Sequence, residues 1–394
     1  MLLQTNFPPD IRVENEILSL SSVDFNIHLL CRNGGNQKKR DLWEGVDVQR
    51  LIHPKRFKYL SNLLQLPVFF NPVWIFRSVQ IILKEKINTI HVHDLPLAPL
   101  ALLLKLLFRI SIVYDMHENY PAALRAWKKS GSEYWLKHPA VFKRIERMTI
   151  PRFDRLIAVV DENRDRIIAD YGVPAENVFV VSNYVNLNTF KPDAKYLQID
   201  IPEGVKIFLY TGGLDIHRGI DITFEAFRKL SEDHDDILLL VVGGGKSSAG
   251  QKTEQNLRAI VESDNTLRNK VIITGWLDIK YIPWLILKSH YCLIPQGAND
   301  HTNTTIPHKL FQYTSFGKPV VAADALPMKR FISEMEAGIT FTTGSISSYH
   351  SALEDIIKLD YSEVSIQLEA KTREKYSWKC AEKELFELYN SLRD

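Results

Sequence analysis

The chain has 394 residues, of which 45% are hydrophobic and 24% are charged, and its formal net charge is +2. This composition excludes a disordered or fibrous chain and allows two hydrophobic cores of ordinary domain size. The three cysteines, Cys31, Cys292 and Cys380, are far apart and show no CxxC spacing, which argues against a disulfide framework and against a thiolate zinc site. We therefore expect a two-domain globular protein in a reducing compartment.

The first residues and the longest apolar run both argue against a membrane span. The opening MLLQTN lacks a basic start followed by a long apolar core, so no cleavable signal is expected. The run from Leu95 to Phe108 is about 14 residues long and contains Pro96, Pro99 and Lys105, whereas a span needs about 20 residues. We expect a cytoplasmic protein in which this run forms a buried crossover helix.

Alternating β-type and helical runs fill the first half of the sequence. The chain opens with a short strand at residues 2–4, a Pro-containing turn and a helix from about Ile11. Further β-type runs lie at residues 26–31, 89–93, 111–115 and 156–160. Helix-length stretches separate these runs, which is typical of parallel strands joined by crossovers.

The second half repeats this alternation. Its β-type runs lie at residues 205–210, 237–242, 271–274 and 291–295, and each run exits into Gly or Pro. The polar stretch between the halves contains Pro192 and Pro202 and has no strong periodicity. We predict an α/β protein with a first domain at residues 1–185, a linker at 186–204 and a second domain at 205–377.

Charge is distributed unevenly between the two halves. Residues 1–185 hold 25 Lys and Arg against 19 Asp and Glu, a net charge of +6, whereas the remainder has a net charge of −4. Residues 125–155 contain nine basic side chains against three acidic ones, together with Trp127, Tyr134 and Trp135. This mixture suits an anionic membrane surface, and a simple solvated face is the alternative. Nucleic acid is not expected, because the chain is near neutral and carries no recognisable binding motif.

A short helix, a glycine and a buried strand follow one another at residues 309–323. Leu310 and Phe311 fall on one helical face, Gly317 can take the left-handed cap, and Pro319 blocks continuation before an apolar run. In open α/β sheets, such junctions border the ligand crevice.

Glycine-rich turns follow two predicted strands of the second half. Gly212 and Gly213 end the first of these strands, and Gly243 and Gly244 end the next. Their side-chain-free backbone at the carboxyl edge of the sheet allows phosphate groups to approach closely. Plain tight turns are the alternative.

Two segments together resemble a known enzyme family. KLFQYTSFGKPVVA at residues 309–322 and GGLDIHRGID at residues 212–221 resemble the signatures of the retaining, nucleotide-sugar-dependent glycosyltransferases of the GT-B fold, family 4. The resemblance covers nearly the whole chain. It implies two Rossmann-like parallel-sheet domains facing across a cleft, and a last helix at residues 378–394 that crosses back to the first domain. It also implies a UDP- or GDP-linked sugar as donor substrate, with no cofactor and no metal ion.

The resemblance marks Arg218 as catalytic. In the family signature, an Arg and a Lys stabilise the negative charge that develops on the leaving nucleoside diphosphate. Arg218 stands at the Lys position, and Gly213 stands at the Arg position. A guanidinium stays protonated and can bind phosphate bidentately, so the electrostatic role survives this exchange. An exposed Arg at a helix start is the alternative.

The family also carries two Glu residues around its donor helix, at the positions of Thr304 and Gln312 here. Gln312 can still hydrogen-bond ribose hydroxyls, and Thr304 or Thr305 can cap a helix that starts near Pro307. Helix-start N–H groups and Lys309 would favour the diphosphate, with a solvated Lys309 as the alternative. Trp276 and Leu277 match the family's base-binding corner, with Trp276 in the core as the alternative. The predicted donor-binding residues are Gly212, Gly213, Gly243, Gly244, Trp276, Leu277, Thr304, Thr305, Lys309, Leu310 and Gln312.

In the first half, residues 114–121 resemble the family's YDxHExxP loop. The resemblance makes His117 the second catalytic candidate, as a hydrogen-bond partner for a hydroxyl of the donor sugar. Residues 10–16 resemble a DxRVxxE helix start that is common in the same family, and the predicted acceptor-side residues are Arg12, Asp94 and Glu118. For Arg12, an ion pair with Glu16 on the helix surface is the alternative.

His91 and His93 share one face of a predicted strand, which is a spacing that a metal ion could use. No spaced third ligand is recognisable in the sequence, so structural roles are favoured for both.

Three hypotheses follow. The first is a glycosyltransferase on the cytoplasmic side of a membrane, transferring sugar with retention to a lipid-linked or polysaccharide acceptor in cell-surface polysaccharide or lipopolysaccharide synthesis. The second is a catalytically weak donor-binding homologue that serves as a scaffold or partner, suggested by Gly213, Thr304 and Gln312. The third is an enzyme similar to the UDP-sugar 2-epimerases, against which the HRG and KLFQY segments argue.

Overall fold

The chain divides into two units, and each contains one β-sheet. The computed structural model describes residues 1–33, 37–52, 71–127, 138–192, 199–359 and 362–392. One unit comprises Met1–Asn183 with Ala381–Asp394, and the other comprises Tyr184–Cys380. The change-over after Asn183 lies two residues before the end of the predicted first domain, and residues 193–198 of the predicted linker lie outside the described residues.

The first unit contains eight strands: β1 (Leu2–Asn6), β2 (His28–Asn33), β3 (Arg40–Trp43), β4 (Val46–Ile52), β5 (Thr89–His93), β6 (Ser111–Met116), β7 (Arg155–Ala158) and β8 (Val178–Val180). Its sheet has the order β3-β4-β2-β1-β5-β6-β7-β8, and β3 is antiparallel to β4 while the other described pairs are parallel. The chain leaves β1 toward one edge and returns at β5 toward the other. Ligands in such sheets bind at this switch point, outside the carboxyl ends of the strands.

Six helices of the first unit are described: α1 (Ile11–Ser22), α2 (Pro72–Glu85), α3 (Ala98–Phe108), α4 (Tyr120–Ala126), α5 (Pro139–Thr149) and α6 (Asp161–Tyr171). Several begin with a side-chain cap, as at Asp10, whose carboxylate accepts from the backbone N–H of Val13. Apolar faces of these helices cover the sheet, where Val92, Ile112 and Leu156 are fully buried.

The β3–β4 hairpin was not predicted. Trp43 pairs with Val46, so Glu44 and Gly45 form a two-residue loop, and both have positive φ, at 47° and 82°. Two-residue hairpin loops of this kind usually have the sequence Asn-Gly or Asp-Gly, and Glu is uncommon in the left-handed region. The hairpin therefore carried no recognisable turn signal.

The second unit contains six strands, all parallel: β9 (Lys206–Thr211), β10 (Ile237–Val242), β11 (Val271–Gly275), β12 (Tyr291–Ile294), β13 (Val320–Ala323) and β14 (Gly338–Phe341). Their order is β11-β10-β9-β12-β13-β14, so the switch point lies between β9 and β12. The predicted α/β class with two Rossmann-like parallel-sheet domains is confirmed.

The other helices are α7 (Ile220–Asp233), α8 (Ser248–Ser263), α9 (Ile282–Lys288), α10 (His308–Thr314), α11 (Leu326–Met335), α12 (Ile346–Lys358), α13 (Ser362–Lys375) and α14 (Trp378–Asn390). Of these, the helices before α14 belong to the second unit, and all six residues of β10 are buried and apolar, as expected for a parallel strand covered on both faces. The segment at residues 309–323 forms α10, a left-handed Gly317 with φ 67° and strand β13, as its pattern predicts.

From Ala381 onward, helix α14 belongs to the first unit. The hydroxyl of Tyr389 lies 3.0 Å from Nδ1 of His91, and the guanidinium of Arg155 donates to Oγ of Ser391 at 2.7 Å. These contacts hold the end of the chain against strands β5 and β7.

The apolar run at residues 95–108 forms a short 3-10 turn at Leu95–Leu97 followed by α3. Leu100 and Leu104 are buried, but Leu106 and Leu107 are exposed, so the last turn of the expected buried helix faces outward. No helix in the described part of the chain is long and apolar enough to cross a membrane.

Candidate active site

A buried cluster of charged side chains occupies the switch point of the first sheet. Strands β5 and β6 pair with His93 opposite Asp115, which brings both residues to the carboxyl edge. Arg12, in the first turn of α1, reaches Asp115 with two hydrogen bonds of 2.7 Å, one from Nε and one from Nη2. The parallel register and the helix start together assemble this cluster from distant parts of the sequence.

The guanidinium of Arg12 makes most of its hydrogen bonds to other groups of the protein. Beyond the Asp115 contacts, Nη1 donates to the carbonyl of Val181 at 2.8 Å and to Oδ1 of Asn183 at 2.9 Å. The i,i+4 ion pair with Glu16 is also present, at 3.2 Å. Arg12 is buried among these partners and orients Asp115, and its acceptor-side role stays a prediction.

His117 is held as a cation. Its Nε2 lies 2.9 Å from Oδ2 of Asp115, and its Nδ1 lies 3.6 Å from Oδ2 of Asp94. Burial lowers the pKa of His117, but Asp94 and Asp115 outweigh burial and raise it to about 10. The His117 side chain is 20% exposed, so it can donate a hydrogen bond to a ligand but cannot take up a proton at neutral pH.

The neighbours of His117 differ in their protonation. Burial alone would raise the pKa of Asp115, but Arg12 and then His117 hold it well below its usual range. Burial raises the pKa of Asp94 to about 6, and Asp94 has a left-handed φ of 65°. Glu118 follows His117 in the same loop, and its charge contributes to the raised pKa of Asp94.

His91 and His93 have more carboxylate neighbours than the sequence indicated. Potential ligand atoms of Glu16, His91, His93 and Asp115 all lie within 4.8 Å of one another. However, Oδ2 of Asp115 already has Arg12 and His117 within 3 Å, and the Arg12 guanidinium also contacts Glu16. Two neighbouring cations disfavour a metal ion, and burial followed by the Asp115 charge raises the pKa of Glu16 well above its usual range. Structural roles for His91 and His93 are therefore still favoured, although both carboxylate oxygens of Glu16 and the Nε2 atoms of His91 and His93 are buried without a hydrogen-bond partner among the described residues.

In the second unit, three strand ends are locked together by backbone contacts. Gly212 N–H donates to Val242 at 2.9 Å, and Gly243 N–H donates to Gly275 at 2.9 Å. Gly243 has a φ of 143°, and a Cβ there would collide with the Gly212 carbonyl oxygen. Gly243 is thus required for the close approach of β9 and β10, and the glycine turns leave a bare backbone edge.

Arg218 borders this edge. It ends the short 3-10 turn Ile216–Arg218, and its buried Nε has no hydrogen-bond partner among the described residues. The following Gly219 has a φ of 74° and packs against the backbone of Pro295, which closely follows β12. Arg218 therefore lies between the carboxyl ends of β9 and β12, at the switch point of the second sheet.

Lys309 approaches the same edge from α10. Its Nζ lies 3.2 Å from the carbonyl oxygen of Thr211 and 4.4 Å from the ring centroid of Tyr210. Burial, followed by the charge of Arg218, lowers the pKa of Lys309 to about 7. Lys309 is therefore partly buried against this edge, and its role in donor binding stays a prediction.

Trp276 lies beside the second glycine turn. Its side chain is 50% exposed, so it is not a core residue. The Lys246 ammonium lies 4.6 Å from its ring centroid, and a Cβ at Gly244 would lie 2.9 Å from the ring. The adjacent Leu277 is half-buried. The exposed ring therefore borders the bare backbone of the second glycine turn.

The expectations for α10 need correction. Its N-cap is Pro307 and no side chain caps it, because the Thr304 hydroxyl instead donates to the carbonyls of Asp300 and His301 at 2.9 and 3.1 Å. Thr305 is half-buried and likewise does not cap the helix. The Leu310 side chain is fully buried and Gln312 is also buried, and the donor-binding roles of both residues stay predictions.

Solved structures resemble the whole chain. Sucrose-phosphate synthase from Thermosynechococcus elongatus is 16% identical with a TM-score of 0.79, and the alignment covers 99% of this chain and 98% of that chain. HepE from Anabaena in complex with UDP is 15% identical with a TM-score of 0.71, covering 99% of both chains. A trehalose-6-phosphate protein from E. coli bound with UDP-2-fluoro glucose is 12% identical with a TM-score of 0.72, covering 98% of both chains. These similarities show a shared fold.

Family models assign the two halves of the chain. No curated protein matches the sequence. The model described as Glycosyltransferase Family 4 matches residues 12–189, and the model described as Glycosyl transferases group 1 matches residues 195–375. The chain therefore belongs to the glycosyltransferases of the GT-B fold, with a Family 4 domain followed by a group 1 domain.

Proposed function

We propose that this glycosyltransferase moves a sugar from a nucleoside-diphosphate sugar to a lipid-linked or polysaccharide acceptor, with retention of configuration and without a metal ion. The observation that carries the proposal is Arg218 beside the bare turn at Gly212 and Gly213, at the switch point of the second sheet. A buried Nε without a partner is a donor that a diphosphate oxygen can satisfy.

The donor is a UDP- or GDP-linked sugar. HepE in complex with UDP and the E. coli structure with UDP-2-fluoro glucose support the uridine form. The half-exposed ring of Trp276 would stack on the base, with Gly244 leaving room beside it. Gln312 and backbone groups of α10 would contact the ribose, with Thr304 and Thr305 nearby in the chain.

Catalysis is electrostatic in this proposal. Arg218 stabilises the negative charge on the departing diphosphate, where a preorganised cation is most effective. His117 is protonated and would donate a hydrogen bond to a hydroxyl of the donor sugar. Asp94, which follows β5 and pairs with His117, and Glu118, which follows β6, would face the acceptor, while Arg12 positions Asp115.

The acceptor side would dock on an anionic membrane surface on the cytoplasmic side. Helices α3 and α5 expose Leu106, Leu107 and Met148, together with the basic residues Arg109, Arg144 and Arg147. Lys105 of α3 donates to the carbonyl of Arg152, in the 3-10 turn Ile150–Arg152 that follows α5, at 2.8 Å. Residues 128–137, which carry Tyr134 and Trp135 of the predicted basic and aromatic stretch, lie outside the described residues.

A catalytically weak donor-binding homologue is the second candidate. Gly213, Thr304 and Gln312 replace one basic and two acidic positions of the family motifs, so donor binding could persist with reduced turnover. The two candidates differ in one readout, which is the release of nucleoside diphosphate on addition of an acceptor.

The test is a transfer assay with radiolabelled UDP- and GDP-sugars and bacterial lipid-linked oligosaccharide fractions as acceptors. Acceptor-dependent release of UDP or GDP, and a product with the anomeric configuration of the donor by NMR, would support the proposal. Donor binding without release for every acceptor fraction would favour the second candidate, and a product of opposite configuration would contradict retention.

A further inference from the structure

Two cations of the second unit converge on one segment of bare backbone. Lys309 contacts the carbonyl of Thr211 at 3.2 Å, directly before the glycine turn. On the same turn, a Cβ built at Gly213 would lie 3.4 Å from Nε of Arg218. Both side chains thus border residues 211–213 at the carboxyl end of β9.

Asp215 also borders this turn, with Oδ2 3.2 Å from the position of a Cβ at Gly213, but its carboxylate forms no ion pair with Arg218 or Lys309 in the described part of the chain. Arg218 has a buried Nε without a partner, and neither cation forms an ion pair with a carboxylate in the part of the chain that the structure describes. Lys309 contacts a carbonyl oxygen and the face of the Tyr210 ring, which attract a cation but do not cancel its charge. Like charges held together at a partly buried site destabilise each other, and a ligand with more than one negative charge relieves that repulsion.

Gly213 keeps the space between these groups open. Its φ lies outside the left-handed region, so the backbone does not require glycine at this position. A Cβ there would lie 3.2 Å from Oδ2 of Asp215 and 3.4 Å from Nε of Arg218, which is tight but tolerable. The absence of a side chain leaves room for a ligand beside Arg218.

We propose that Lys309 is the second cation of the diphosphate site, sharing the charge of the diphosphate with Arg218 and acting in place of the side chain that Gly213 lacks. This inference rests on the proposed function, because its ligand is the nucleoside diphosphate of the donor. Arg218 offers planar, bidentate donors and Lys309 a compact point charge, and these two modes suit adjacent phosphate groups.

Lys309 is also the group that titrates near neutral pH. Its charged or titratable neighbours are Arg218, Cys292, Tyr210 and Tyr313, and burial raises the pKa of Cys292 to about 12 and those of both tyrosines above their ordinary value. Burial lowers the pKa of His308 to about 4, and burial followed by Arg218 lowers the pKa of His217. With a pKa of about 7, Lys309 is partly neutral without ligand, and a bound diphosphate restores its proton.

The first test compares Lys309→Met with a matched control, Lys318→Met. Lys318 lies in the same unit, donates to the carbonyl of Leu287 at 2.9 Å and also has a pKa lowered by burial. It precedes β13 and so lies at the amino ends of the strands, away from the carboxyl ends where Lys309 lies. Calorimetry with UDP, GDP and inorganic pyrophosphate should show binding weakened about 10- to 100-fold by Lys309→Met, the range for charge-assisted hydrogen bonds, and unchanged by Lys318→Met. Thermal melts establish that each variant is folded.

The second test is rescue. Gly213→Arg in the Lys309→Met background restores a second cation that stays protonated, so UDP affinity should recover. Between pH 7 and 8.5 the UDP affinity of the wild type should fall as Lys309 loses its proton, whereas the affinity of this double variant should stay constant. The phosphate of the ligand, with a second pKa of about 6, no longer changes charge in this range. Lys309→Arg alone should bind with the same loss of pH dependence, which keeps the inference testable if Lys309→Met does not fold.

The outcomes separate the two proposals. Wild-type binding of UDP or GDP that Lys309→Met leaves unchanged would overturn this inference and leave the proposed function standing. If Lys309→Met weakens binding and Gly213→Arg does not restore it, Lys309 does not act in place of a basic side chain at position 213. Failure of the wild-type protein to bind any of the three probes would overturn the proposed function itself.

Discussion

Arg218 is the side chain on which the proposed chemistry depends most. Arg218→Ala should lower turnover roughly 30- to 1000-fold while the fold stays intact, because a preorganised cation stabilises the transition-state charge by about 2 to 4 kcal/mol. The control is Arg228→Ala, which removes an exposed Arg of α7 that pairs with Glu232 at 3.4 Å. Steady-state rates with circular dichroism provide the measurement, and full turnover in folded Arg218→Ala would remove this residue from the mechanism.

The raised pKa of His117 predicts that the stability of the protein depends on pH. Its pKa in the folded protein is about 10, above its ordinary 6.5, so its ion pairs stabilise fully below pH 6.5 and lose their effect as the pH rises toward 10. The difference in free energy of unfolding between the wild type and His117→Gln should therefore shrink across this interval, by at most about 1.4 kcal/mol per pH unit. Urea unfolding at several pH values measures it. A difference that stays constant with pH would show that His117 is neutral.

The sequence and the structure agree best where a function is encoded within one short segment. The glycine turns, the Arg218 turn and the α10–Gly317–β13 junction are each local, and their residues fix backbone conformation directly. The cluster around Asp115 could not be predicted in this way, because Arg12 and Asp115 are 103 residues apart and meet only through strand register and a helix start. Thr304 shows a further limit, since its hydroxyl has a nearer carbonyl partner than the helix start it was expected to cap.

The ends of β9, β10 and β11 form the most demanding junction between elements. Gly243→Ala should destabilise the protein by several kcal/mol, since its Cβ would collide with the Gly212 carbonyl in addition to the unfavourable φ. Gly275→Ala is the matched control, because Gly275 has a φ of 75° but only Arg258 within 4 Å, so it should lose about 1 kcal/mol. Chemical denaturation distinguishes them, and equal losses would show that the backbone approach is not rigid.

For the whole molecule, the uneven charge predicts how the protein meets its acceptor. Vesicle co-sedimentation should show binding that needs anionic lipid and falls with rising salt, since each basic residue near such a surface contributes about 1 kcal/mol. Changing Arg109, Arg144 and Arg147 to Glu should abolish it, whereas changing Lys252, Lys280 and Lys358, which are exposed on the second unit, should not. Equal binding to neutral and anionic vesicles, or an equal loss of binding in both triple variants, would show that the exposed residues of α3 and α5 form a simple solvated face.

The proposal as a whole depends on a nucleoside-diphosphate sugar binding to the second unit. Thermal unfolding in the presence of UDP-, GDP- and ADP-linked sugars tests this most directly, because a ligand at 100 times its Kd stabilises the folded protein by about 2.7 kcal/mol. We predict that a UDP- or GDP-linked sugar raises the Tm of the wild type and of Arg228→Ala, and raises that of Arg218→Ala much less. No shift with any sugar nucleotide, or the same shift in Arg218→Ala as in the wild type, would contradict the account.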